Sequence, residues 1–281
     1  MSTPEQNITA YGFGKFRRQA AVAGTHVTAK RLRIPERLLG AIVPVAGLVV
    51  WEILSRAGVF PPNALPAPTV IAQTILDLAR SGELWRHSGI TLWRIVVGFV
   101  IGAGVGTVVG GLTGYVPIAR KLLDPLLQSL RNIPSMAWVP LFLLWLGIQE
   151  SSKISLIALG AFFPVYLNLS SGMSHVDPKL IEVGKVYRLG GLQMIRRVIL
   201  PAVLPEYLVG LRSGLGLAWM FVVAAEIMGA SRGLGFLMID GQMTGRASVI
   251  LASVILFACL GKATDFVLEV VGKRLLRYKT K

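Results

Sequence analysis

Residues 182–201 read EVGKVYRLGGLQMIRRVILP, a charged and glycine-bearing island between two long apolar runs. Loops that join membrane spans are usually short and featureless. Twenty residues with their own helical grammar therefore predict a surface built to meet a partner. Just upstream, Asp177-Pro178 is a helix start, an N-cap acid followed by proline at the first helical position. The pattern predicts a helix from Pro178 to about Leu189, stopped by Gly190-Gly191, because glycine readily takes the left-handed conformation of a helix C-cap. A second short helix is expected from Leu192 to Pro201, with Pro205 introducing the next span. Leu180, Val183, Val186 and Tyr187 give the first helix an apolar stripe, and Glu182, Lys185 and Arg188 set charge beside it. Such a face suits a partner groove with an apolar floor and a polar rim.

The flanking runs settle the broad class. Of 281 residues, 53% are hydrophobic and 15% charged, with a mean hydropathy of +0.64; soluble domains carry about 25% charged residues. Six apolar stretches, at about 38–57, 89–113, 122–147, 153–173, 205–229 and 247–271, each approach the roughly 20 residues that cross a bilayer. The formal net charge of +15 is not spread as a nucleic-acid patch would be. It gathers before the first span, in the 179–197 loop and after the last span, with Arg120 and Lys121 between the second and third. The alternate loops hold only Arg80, Arg86, Lys153, Arg232 and Arg246. The positive-inside rule then places both termini in the cytoplasm, which requires an even number of spans. A basic leader of nearly forty residues is too long for a signal peptide, so the first apolar stretch is expected to remain as a span.

The island's spacing resembles the signature loop of importer-type ABC permeases: Glu-Ala-Ala, three residues, Gly, nine residues, Ile-x-Leu-Pro. Glu182 opens the match, and Val198, Ile199, Leu200 and Pro201 close it. A second stretch, LRNIPSMAWVPLFLLWLGIQESSK at 130–153, resembles the subgroup of these permeases that serves aliphatic sulfonates, taurine, nitrate and bicarbonate. The resemblance covers most of residues 38–275 and is specific at these two places. It implies an all-α membrane protein with the importer-type ABC permease fold: a basic cytoplasmic segment at 1–37, a six-span domain at 38–271 with a coupling loop at 174–204, and a basic tail at 272–281. It further implies a homodimer in the bacterial inner membrane, two copies of an ABC ATPase, a periplasmic substrate-binding protein and alternating access.

By the same resemblance, Glu182, Val183, Gly184, Lys185, Arg188, Gly190 and Pro201 form the ATPase-coupling set. Two positions depart from the pattern. Val183 and Gly184 stand where the family has alanines, and Arg188 stands where it has glycine, so the turn is expected to shift to Gly190-Gly191. No Gly-x4-Gly-Lys-Ser/Thr phosphate loop occurs. The chain is therefore expected to bind no cofactor and to act as a transport subunit, not an enzyme, with ATP used by the partner. A stand-alone secondary transporter is the rival from another class; such folds often carry inverted repeats, and none is evident here.

Other features attach to the spans. Gly98, Gly102, Gly106, Gly110 and Gly114 recur every fourth residue and predict close helix packing; Gly210, Gly214 and Ala218 repeat the device. RNIPSMAWVP at 131–140 breaks the third span at Pro134 and Pro140, and broken backbone at membrane depth points to a water-filled path. Arg131, Asn132, Pro134, Arg212 and Glu226 are the translocation-path candidates, with Arg131 and Arg212 as contacts for an anion, aliphatic sulfonate ahead of taurine, nitrate or bicarbonate. Arg94 is expected to snorkel, and Lys262 and Asp265 to neutralise one another. Thr69 is expected to cap a short amphipathic helix at about 70–80, and Cys259 to be a small packing residue. Residues 229–246 read as a glycine-rich outer loop resembling the family's outer gate. His26, His87 and His175 have no metal-ligand spacing.

Overall fold

The computed structural model describes residues 36–61 and 63–276. The N-terminal segment up to residue 35 and the last five residues of the tail lie outside the described residues. The chain divides into two compact units, Met1–Val45 and Ala46–Lys281.

Every regular element among the described residues is helical: α1 (Glu36–Arg56), α2 (Pro68–Arg80), α3 (Glu83–Tyr115), α4 (Pro117–Arg131), α5 (Ser135–Leu146), α6 (Glu150–Ser174), α7 (Pro178–Val186), α8 (Gly191–Met194), α9 (Leu200–Gly229), α10 (Leu234–Met243) and α11 (Ala247–Leu275). The expected spans fall on α1, α3, α4 with α5, α6, α9 and α11. Among the described residues four stretches are long and apolar enough to cross a membrane: 83–115, 150–174, 195–229 and 247–275. The third expected span is two helices, because the chain leaves helical geometry at Asn132–Pro134. Proline disfavours helical backbone in the residue before it, which accounts for the break.

The centre of the bundle is α6, packed against α3 on one side and α9 on the other. The α3 contact is built on the four-residue glycine stripe. A methyl group at Gly98 would lie 2.6 Å from Ile157 Cγ2, at Gly106 2.8 Å from Phe162 O, at Gly110 2.8 Å from Tyr166 O, and at Gly102 would overlap the Ala158 carbonyl. On the other side of α6, Gly214 would meet Ala161 O at 3.0 Å and Gly210 would meet Asn168 Cβ at 2.8 Å. The packing reading of both stripes holds: each glycine stands where a neighbouring helix comes too close for a side chain. Ile95, Ile157, Ala161, Leu215, Ala218 and Val222 fill the resulting core.

A second core joins α2, α10 and α11 through Ile71, Leu78, Leu234, Leu237, Val249 and Ala252, so the expected apolar face of α2 is buried. Thr69, however, is no cap. α2 begins at Pro68, and the Thr69 hydroxyl and amide both donate to Glu52, at 2.8 and 3.1 Å. Two further expectations change. The 229–246 segment is mostly helix, since α10 fills it. Cys259 is exposed on α11 instead of packed within the chain.

Candidate functional site

The 178–201 segment starts as its sequence predicts. Asp177 caps α7 by accepting the Lys179 amide at 2.9 Å, and Pro178 occupies the first turn. It ends elsewhere. Leu189 N–H reaches Gly184 O at 3.0 Å and Arg188 N–H reaches Lys185 O at 2.8 Å. This six-to-one and five-to-two pair is a Schellman stop, and its left-handed residue is Arg188, at φ 54°. The turn has not moved to Gly190-Gly191. Gly190 lies outside the left-handed region, and Gly191 opens α8. The arginine occupies the position where the resembling pattern has glycine, and it takes the conformation that glycine adopts most easily.

Gly184 explains the other departure. A Cβ there would sit 2.5 Å from Met194 Sδ and 2.7 Å from its Cε, so the methionine of α8 fills the space a side chain would use. Met194, Ile199, Val203 and Leu169 form the small core beneath α7. The second short helix is not separate from the next span. Residues 195–199 wind as a π turn, with Leu200 N–H bonded to Ile195 O, and lead without a break from α8 into α9. Pro201 supplies the cause: its ring cannot tolerate the carbonyl four residues back in an α turn, and the wider winding relieves the clash.

Outward, α7 offers Leu180, Val183, Val186 and Tyr187. Val186 is 82% exposed and Tyr187 76%. Glu182 and Lys185 are exposed beside the row.

The path candidates separate. Arg131 and the chain break at Ile133 edge a cavity of about 460 Å³ between α5, α6 and α9. Asn132 and Pro134 lie in the break but do not line it. Arg212 is committed to α11: its Nε and Nη2 donate to the two Asp265 oxygens at 2.9 and 2.8 Å, with Glu269 3.5 Å away. Lys262 is the weaker partner of Asp265, at 3.7 Å. Arg212 is thus not the free cation that the anion reading needs.

Glu226 faces no path either. Its carboxylate is 0% exposed and accepts from Arg94 Nη1 at 2.8 Å, Thr91 Oγ1 at 2.8 Å and the Gly235 amide at 2.9 Å. Arg94, 1% exposed, does not snorkel. It also donates to both Glu150 oxygens, at 2.6 and 2.7 Å, and to Arg232 O at 2.7 Å. The cluster captures the start of α10. His87 Nδ1 accepts the Gly233 amide and Thr91 Oγ1 accepts the Leu234 amide, both at 3.0 Å. Three amides of this helix start are therefore satisfied from α3 and α9. Gly233, at φ 122°, lies so close to the Glu226 carboxylate that a Cβ would collide with it. The lone charges Arg94 and Glu226 were visible in the sequence, but 132 residues separate them and nothing in their spacing pairs them. Among the described residues no cluster of His, Cys, Asp or Glu can hold a metal ion.

The sequence matches the family described as binding-protein-dependent transport system inner membrane component over residues 98–277. A Bacillus subtilis (strain 168) protein named as an aliphatic sulfonates transport permease is 42% identical over 85% of this chain and 87% of its own length. The taurine transport system permease protein of Escherichia coli (strain K12) is 34% identical over 81% of this chain and 85% of its own. Among solved structures, an inward-facing methionine ABC transporter aligns with a TM-score of 0.55 and 21% identity, covering 70% of this chain and 96% of the other; that likeness concerns the fold. This chain belongs to the binding-protein-dependent transport inner membrane components, the permease subunits of ABC importers.

Proposed function

We propose that this chain is one of two identical six-span permease subunits, with both termini cytoplasmic, in the inner membrane of a bacterium. Its work is to carry a small anionic solute inward by alternating access. Two copies of a separate ABC ATPase bind and hydrolyse ATP; a periplasmic binding protein delivers the cargo. The observation that carries the reading is α7. Its outward row of Leu180, Val183, Val186 and Tyr187 is exposed on a helix otherwise anchored by the Gly184–Met194 contact. An apolar row bordered by Glu182 and Lys185 suits a cleft on the ATPase. Closure of the ATPase pair moves that cleft, and the continuous α8–π–α9 rod transmits the motion to the membrane core. An aliphatic sulfonate is the cargo favoured by the relatives, ahead of taurine, nitrate or bicarbonate.

The test is purification of the permease with its ATPase from native membranes. Val186→Asp and Glu182→Lys should leave the permease folded and embedded but reduce recovery of the ATPase or uncouple hydrolysis from uptake. Wild-type recovery and uptake in both variants would remove α7 from the coupling role. Uptake driven by an ion gradient without any ATPase would favour the secondary-transporter reading instead.

A further inference from the structure

Resting on the transporter reading above, we propose that the cavity between α5, α6 and α9 is the cargo's transit site. Its preferred occupant is a monoanion with an apolar tail, ahead of a zwitterion or a compact hydrated anion. The cavity's volume of about 460 Å³ lies within the range of small-molecule sites. Its depth follows from the helices that line it. Phe163 is roughly 20 Å along α6 from Glu150, and Leu217 roughly 18 Å along α9 from Gly229, at 1.5 Å per residue. Both measures place it near the middle of the membrane.

The chemistry of the lining is divided. Arg131 stands at the α4–α5 break, exposed, and has no ion-pair or hydrogen-bond partner among the described residues. An unpaired guanidinium at this depth is expensive and marks a water-filled route or an anion site. Facing it, the walls are Trp138, Phe163, Leu217 and Phe221. Among the described lining residues Asn168 is the one other side chain with a strong polar group, and its Nδ2 already donates to Pro164 O at 2.8 Å. Among the described residues no carboxylate lines the cavity. An ammonium carried in beside an anionic head would therefore lose water without gaining a counter-charge. A bicarbonate or nitrate would satisfy Arg131 but leave the aromatic wall unmatched.

Ethanesulfonate and taurine make a matched pair for the test, because they differ by one ammonium group. The permease–ATPase assembly, held in lipid nanodiscs without the binding protein, is titrated with radiolabelled pentanesulfonate. Methanesulfonate, ethanesulfonate, taurine, nitrate and bicarbonate serve as competitors. The cavity predicts binding about fourfold tighter per added methylene, the factor for burying one CH₂ group. Taurine should compete at least tenfold more weakly than ethanesulfonate. Arg131→Gln should weaken pentanesulfonate tenfold or more. Leu217→Glu, which adds a carboxylate to the wall, should reduce pentanesulfonate binding and narrow or reverse the ethanesulfonate–taurine gap. Equal competition by that pair, bicarbonate or nitrate displacing as well as pentanesulfonate, or no change in either variant would overturn the assignment while the assembled complex upheld the permease reading. Failure of any ATPase to assemble would overturn both.

Discussion

Breaking the buried cluster at Arg94 should damage this protein in a graded order that the geometry fixes. Arg94→Ala leaves the Glu226 carboxylate with no cation, fully buried and held only by Thr91 and the Gly235 amide. Orphaning one member of a buried pair destabilises by about 3–5 kcal/mol, and this substitution belongs at the upper end. Glu226→Ala is milder, near 3 kcal/mol by the same rule, because Arg94 keeps both of its bonds to Glu150. Glu150→Ala removes a carboxylate that is 44% exposed, and the loss should stay near 1 kcal/mol. At roughly 2–4 °C per kcal/mol, Glu226→Ala lowers the midpoint of thermal unfolding by about 6–12 °C. The measurement is intrinsic tryptophan fluorescence of the three purified variants in one detergent at one heating rate. Local exchange gives a second check: amides 233–235 should lose protection in Glu226→Ala before the α3–α6 core does. A Glu150 variant more damaged than the Arg94 variant, or a Glu226 variant melting with the wild type, would refute the assigned roles.

The glycine stripe allows a comparison within one helix. Gly102→Val meets the Ala158 backbone and should destabilise by about 3 kcal/mol, the upper end for overpacking, whereas Gly104→Val, with open space beyond it, should be nearly silent in expression yield and melting. At the end of α7, Arg188→Gly relieves a left-handed conformation that disfavours a side chain by about 1–2 kcal/mol. Against that, the unfolded chain gains freedom worth about 0.4–1 kcal/mol. The loop should therefore resist proteolysis slightly better, and a clear loss of resistance would count against the Schellman geometry. Gly233→Ala combines strained backbone with a collision at Glu226, so it should expose the 230–246 segment to protease even where the bundle persists.

Much of the architecture was legible because its causes are local or periodic. Apolar runs of membrane length, Asp177-Pro178 as a helix start, Pro134 as a break and a glycine every fourth residue each follow from neighbours in the chain. The helix α10 within 229–246 was missed because Gly233 and Gly235 read as loop residues. Here they make room for a carboxylate from another helix. The stop at Arg188 was missed for a related reason: left-handed propensity favours Gly190, but α8 packs on Gly184 through Met194 and closes the turn two residues earlier.

The sequence by itself determined the membrane class, most of the long helices and the capped start of the 178–201 segment, since hydropathy, capping and residue spacing are properties of neighbouring residues. Only the tertiary structure decided what each intramembrane charge does. Arg94 and Glu226 became a buried clasp on α10, Arg212 was taken by Asp265, and Arg131 alone of the proposed cations was left facing a cavity. The physical reason is that a charge in an apolar span is assigned by whichever partner the packing brings within about 3 Å. Those partners stand 53 to 132 residues away along the chain.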